Sequence, residues 1–167
     1  MLLFFTRQGQ SVKGVVVFQS KWGNSRQIAQ SIASGLAESG HDVEVKRVGS
    51  EKLDTGVDFI VIGGPTRIGR AYGPIMRLAK RKLREGWTGK PFATFSTGAS
   101  VYSEKPNPQA SEKLDELMKA GGLEEIAPPF KAGVKDMHGP LVEGELERAV
   151  GYGKELGAKL TGGFALT

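Results

Sequence analysis

Five apolar runs recur along the chain, at Lys13–Gln19, Asp42–Val48, Val57–Gly63, Pro91–Thr97 and Glu124–Phe130, with helically spaced segments between them. "VVVF" and "FIVIGG" are apolar without alternation, the pattern of central strands buried on both faces. Ile28, Ala29, Ile32, Ala33 and Leu36 recur at three- and four-residue steps, and Gly40 closes that helix. Pro74 opens a second helix that buries Ile75, Leu78, Ala79 and Leu83. Asn107-Pro108 reads as a cap plus a first-turn proline ahead of Leu114, Leu117 and Met118. The last helix carries Leu146, Ala149, Val150, Gly153, Leu156 and Leu160. Its charges run from Glu143, Glu145 and Glu147 to Lys154 and Lys159, which suits the helix dipole. "GSEKLDTG" is too short for a helix and reads as a loop or single turn. "APPF" breaks regular pairing and puts the fifth strand at an edge.

Strand and helix alternate throughout, which argues an α/β fold with a parallel sheet covered by helices on both faces. No linker, repeat or low-complexity tract divides the sequence. One domain is expected over residues 12–167, with residues 1–11 as an irregular leader. At 167 residues such a domain buries a core without staples. The absence of cysteine excludes disulfides, thiolate metal sites and Cys nucleophiles, and suits a reducing cytoplasm. His41 and His138, the two histidines, lie far apart, which argues against a zinc site. No apolar run is long enough to span a membrane, so no membrane association is expected.

Net charge is +5, and the basic residues are unevenly spread. Between Phe59 and Arg84 there is no acid, while Arg67, Arg70, Arg77, Lys80, Arg81, Lys82 and Arg84 all fall there. The plain reading is a solvated helix face. Without aromatic interleaving or a recognised module, a nucleic-acid partner is not expected.

In an open parallel sheet, ligands bind beyond the carboxyl ends of the strands, where strand order reverses. Three turns there have unusual composition: Ser20–Ser25, Gly64–Gly73 and Ser96–Tyr102. In the first, helix N-terminal N–H groups with Ser20, Asn24 and Ser25 suit an anion. The plainer alternative makes Asn24 an N-cap and Gln27 the partner in a capping box. In the second, "GGPTRIGRAYG", Pro65 fixes a bend and the glycines admit a flat ligand close to the backbone. The third, "STGASVY", adds hydroxyls, a glycine and an aromatic. One turn suited to phosphate and two suited to a planar polar ring describe a mononucleotide with a large aromatic base. Neither G-x-x-x-x-G-K-[ST] nor G-x-G-x-x-G occurs, so the usual triphosphate and dinucleotide fingerprints are missing. No G-x-S-x-G elbow supports a hydrolase.

With those three turns in place, the sequence resembles flavodoxin-like proteins. "FQSKWGNSRQIAQSIASGL" is similar to their phosphate loop and first helix. "VDFIVIGGPTRIGR" resembles the third strand and its flavin loop, and "KPFATFSTGAS" the fourth strand and its loop. The resemblance runs from about Lys13 to the C-terminal helix and is closest to the short-chain type. It implies a three-layer flavodoxin-like sandwich, with a five-stranded parallel sheet in the order 2-1-3-4-5 and one FMN at the switch point. That order comes from the resemblance, not from periodicity. Carried over, the phosphate falls to Ser20, Lys21, Trp22, Gly23, Asn24 and Ser25. The flavin ring falls to Pro65, Thr66, Arg67, Ile68 and Gly69 on one side, and to Ser96, Thr97, Gly98 and Ala99 on the other. Trp22 and Tyr102 are candidates to flank the ring, and Arg67 to raise its potential by favouring negative charge.

The function implied is FMN-dependent electron transfer between redox partners in the cytoplasm, by a monomer or small homo-oligomer. Basic charge points to an acidic redox protein as partner. The alternative is a flavodoxin-like NAD(P)H:quinone oxidoreductase or a related FMN-dependent oxidoreductase, where His138 could border the site as a proton donor. The plainer reading of His138 is a simple loop histidine.

Overall fold

The structure, a computed structural model, describes residues 11–49, 53–83 and 86–162. Residues 1–10, most of the expected leader, lie outside it, as do residues 50–52 of the "GSEKLDTG" segment. Among the described residues six strands form one sheet: β1 (Lys13–Phe18), β2 (Asp42–Arg47), β3 (Phe59–Pro65), β4 (Pro91–Gly98), β5 (Glu124–Glu125) and β6 (Phe130–Gly133). Every pairing is parallel, in the order β2-β1-β3-β4-β5, and β6 also pairs with β4. The fold is the expected flavodoxin-like α/β sandwich. The fifth strand, however, is not the continuous run expected over Glu124–Phe130. Pro128 and Pro129 donate no ladder hydrogen bonds, so pairing stops after Glu125 and resumes at Phe130.

The period of two sorts the central strands into two cores. Val16 and Phe18 face α1 (Asn24–Glu38) and α4 (Glu145–Thr161), with Ile28, Ile32, Leu36 and Leu156. Val15 and Val17 face the other layer, α2 (Gly73–Arg77) and α3 (Ala110–Ala120), with Ile75, Leu114 and Met118. Each such side chain, fully buried, contributes about 1.5–3 kcal/mol. β1, β3 and β4 are covered on both faces, whereas β2 is a polar edge of mostly exposed residues.

The helices correct the sequence reading in detail. α1 ends as expected, with Gly40 at φ +91° just beyond it. α2 starts with Pro74 in its first turn but becomes a π-turn over Leu78–Lys82, so it is no regular second helix. α3 is capped by Gln109, not by Asn107-Pro108. The Gln109 N–H donates to Glu112 Oε1 at 3.1 Å, and Asn107 and Pro108 stay exposed ahead of it. On α4, Leu146 is exposed and Val150 half-buried, while Tyr152 takes the inward position. That rotation follows from close crossing of α1 and α4. A Cβ on Gly35 would strike the Val150 carbonyl, and one on Gly153 would strike the Ile32 carbonyl. Only glycines allow this approach.

Candidate functional site

β1 runs into Gln19–Trp22, and Gly23 turns the chain at φ +91° into α1. The Gly23 N–H donates to Ser20 Oγ at 3.0 Å, which tightens the turn. Among the described residues no side chain caps α1, so the expected alternative of an Asn24 cap with a Gln27 capping box is not what forms. Gly23 is the N-cap residue, and Asn24 lies in the first turn of the helix. The Asn24 amide instead donates to the His138 carbonyl at 3.2 Å. Ser25 is buried, with its hydroxyl 3.1 Å from Thr97 Oγ1. A helix start without a side-chain cap, with hydroxyls beside it, suits an anion.

β3 runs into a tight hairpin. Arg67 N–H donates to the Arg70 carbonyl at 2.8 Å, and Arg70 N–H to the Arg67 carbonyl at 3.0 Å. Ile68 and Gly69 form the tip, at φ +50° and +72°. Positive φ at both central residues marks a type I′ turn, which needs Gly or Asn far more than a β-branched residue. Ile68 is nonetheless there, 91% exposed. Thr66 anchors the hairpin from behind. Its N–H donates to the Thr97 carbonyl at 2.8 Å, and its hydroxyl accepts from Ala110 N–H at 2.9 Å and donates to Gln109 Oε1 at 3.1 Å. Gln109 in turn donates to Ser100 Oγ and the Asn107 carbonyl, at 3.2 and 3.0 Å. The second and third turns are thereby laced into one rigid floor.

These turns enclose a cavity of about 730 Å³ beyond the carboxyl ends of the strands. Of the residues expected at the site, Ser20, Lys21, Trp22, Asn24 and Ser25 line it from the first turn. Pro65, Thr66, Arg67, Ile68 and Gly69 line it from the second, and Thr97, Gly98 and Ala99 from the third. Gly23 shapes the first turn without lining the cavity. Ser96 faces away, its hydroxyl 2.8 Å from Ser111 Oγ in the core between β4 and α3. Tyr102 also lies off the cavity. Its hydroxyl donates to Glu145 Oε1 at 2.9 Å.

Beyond the carried-over set, the cavity is also lined by Tyr72 of the second turn, by Gln109, and by an arm that brings His138 to the border of the site. Tyr72 stands beside Lys21, whose ammonium lies 5.8 Å from the Tyr72 ring and 5.1 Å from the Trp22 ring. Gln109 is 2% exposed, and a glutamine ahead of a helix carries no site signal. Val134, Asp136, Met137 and His138 belong to an arm that follows β6. Glu145 holds the base of that arm. Its buried carboxylate accepts from Gly133 N–H at 2.6 Å, from Tyr102 and from Arg148 Nε at 2.9 Å. Burial alone would raise the Glu145 pKa. The Arg148 guanidinium, the Gly133 N–H and the Tyr102 hydroxyl outweigh it and hold the group below the usual carboxylate range. Among the described residues no group of three or more His, Cys, Asp and Glu could hold a metal, and no helix is long and apolar enough to cross a membrane.

Solved structures share this architecture. A flavodoxin from the domain Archaea superposes with a TM-score of 0.70 at 20% identity, covering 89% of this chain and 98% of that one. The flavodoxin of Streptococcus pneumoniae TIGR4 gives 0.69 at 23%, covering 88% and 99%. The flavodiiron protein of Giardia intestinalis gives 0.69 at 18%; 95% of this chain is covered, but only 38% of that one. At these identities the likeness concerns the fold. No curated protein sequence matches the chain. The flavodoxin domain family matches residues 15–126, from within β1 to the end of the first half of the split edge, and by that match the chain belongs to the flavodoxin family.

Proposed function

We propose that the chain binds one FMN in the 730 Å³ cavity and passes electrons between redox proteins. The observation that carries this reading is the meeting, in one cavity, of an uncapped helix N-terminus with two turns that are hydrogen-bonded into a rigid floor. The volume falls within the range of small-molecule sites.

The residues present fit the group. Ser20, Gly23, Asn24 and Ser25 form the phosphate turn, and Lys21 adds a cation at its edge. Pro65, Thr66, Thr97, Gly98 and Ala99 offer backbone and hydroxyl partners to the polar edge of the ring. Ile68, Tyr72 and Trp22 supply the surface that shields it. FMN, once bound, supplies the electron transfer chemistry itself. The chain orients it, excludes water and sets the local charge, for which Arg67 is the cation beside the second turn and Lys21 the one beside the first. Ser96 and Tyr102 support the site from behind rather than touching the ligand.

Purified protein is expected to be yellow and to release FMN on heating, identified by chromatography. Release of FAD instead, or no flavin taken up on reconstitution, defeats the assignment.

A further inference from the structure

β1 reaches β2 by way of α1, on the Val16 side of the sheet. The return from β2 to β3 passes over β1 in the opposite direction, so a crossover of the same hand runs on the other face, the Val17 side. A helix ordinarily fills such a crossover. Here residues 48–58 make the connection, and none of those described is helical. That layer is short of one helix over β1 and β2. In its place lies a second cavity of about 910 Å³, which shares no described lining residue with the one beyond the strand ends.

Val17, Val48, Leu53, Leu78 and Trp87 give this cavity an apolar lining that belongs to the core between the sheet and α2. Its charge has one sign. Lys46, Arg47 and Arg77 line it, and among the described residues no acid does. Lys46 lies 3.4 Å from Glu44, and Arg47 donates to the Ser20 carbonyl at 3.2 Å. Arg77, from α2, is exposed, and among the described residues no carboxylate pairs with it. An apolar pocket with a few convergent polar groups suits a small molecule, and a buried charge on that molecule requires a counter-charge. We propose that this cavity is a second binding site, for a small molecule with an apolar body and a single anionic head group. The body packs on Val17, Leu53 and Trp87, and the head pairs with Arg77. The inference does not rest on the flavin reading.

The test titrates the full chain with naphthoate and with naphthylmethylamine, a cation of similar shape. Calorimetry gives the affinities, and amide proton–nitrogen spectra locate the site. Naphthoate is expected to bind about ten-fold more tightly than the amine, with shifts clustered at Val17, Thr55, Leu78 and the Trp87 indole. Arg77→Ala should weaken naphthoate about ten-fold and leave the amine no weaker. Leu53→Ala should weaken both probes alike, since it removes apolar contact and no charge. Arg26→Ala takes the same charge from α1, away from the cavity, and should change neither affinity. Any of three results overturns the inference: no naphthoate bound up to its solubility, shifts confined to the first cavity at Thr66 and Ala99, or a naphthoate affinity that Arg77→Ala leaves unmoved.

Discussion

Ile68 carries a conformation that costs a β-branched residue about 1–2 kcal/mol, and with 91% exposure it recovers almost nothing by packing within the chain. The expense makes sense if the side chain covers a ligand. Ile68→Gly is therefore expected to stabilise the apo-protein by roughly 0.5–1 kcal/mol in urea unfolding, since relief of strain exceeds the added freedom of the unfolded chain. The same change is expected to weaken FMN binding. An apo-variant less stable than wild type would mean that Ile68 makes contacts worth more than its strain. At this scale the sequence revealed residue types better than directions. Thr97 and Ser96 are neighbours on β4 with the same kind of side chain, yet the period of two sends Thr97 to Ser25 and Ser96 to Ser111. Gln109 was invisible because its role depends on Thr66, 43 residues earlier in the chain.

Among the elements, Glu145 is the joint. From the first turn of α4 it ties β6 through Gly133 and the loop after β4 through Tyr102, while Arg148 balances its charge. Its pKa in the folded chain lies below the ordinary carboxylate value. The stability it adds is thus complete above about pH 4.5 and is lost as pH falls through the lower folded value. Glu145→Gln is expected to cost about 1–3 kcal/mol at neutral pH. In urea unfolding from pH 7 downward, the gap between wild type and variant should narrow only below about pH 4.5. A gap constant down to pH 3 would remove the carboxylate charge as its source. This joint lies where sequence reading was weakest. The run "APPF" announced an edge but not the split into β5 and β6, and nothing local to residues 134–141 indicated a return to α1. Strong periodicity made β1, β3, β4 and α1 legible, whereas the arm is set by contacts across 114 residues of chain.

For the whole molecule, alternation of elements was enough for a parallel α/β sandwich, but strand order came from family likeness, because periodicity does not order strands. Charge is the remaining whole-molecule property, and it bears on the partner. Arg70, Arg77 and Arg81 are exposed in the acid-free stretch that begins at β3; Arg84 and the side chain of Lys82 lie outside the described residues. Arg70 lies on the hairpin of the second turn, from which Ile68 projects, and Arg77 and Arg81 follow on α2 and its π-turn. An acidic redox protein approaching these residues is steered over a range set by screening, about 8–10 Å at ordinary ionic strength. Electron transfer from such a protein is expected to slow as salt rises. Arg70→Glu, Arg77→Glu and Arg81→Glu together should slow it by about ten-fold or more at low salt, with FMN affinity unchanged, because none of these side chains lines the cavity proposed for it. Stopped-flow mixing with NADH or NADPH separates the carrier from the enzyme. Slow, unsaturated reduction fits a carrier, whose partner must be another protein. Fast, saturable reduction, with a quinone as acceptor, would replace the carrier by the oxidoreductase reading and leave the basic face without a role in catalysis.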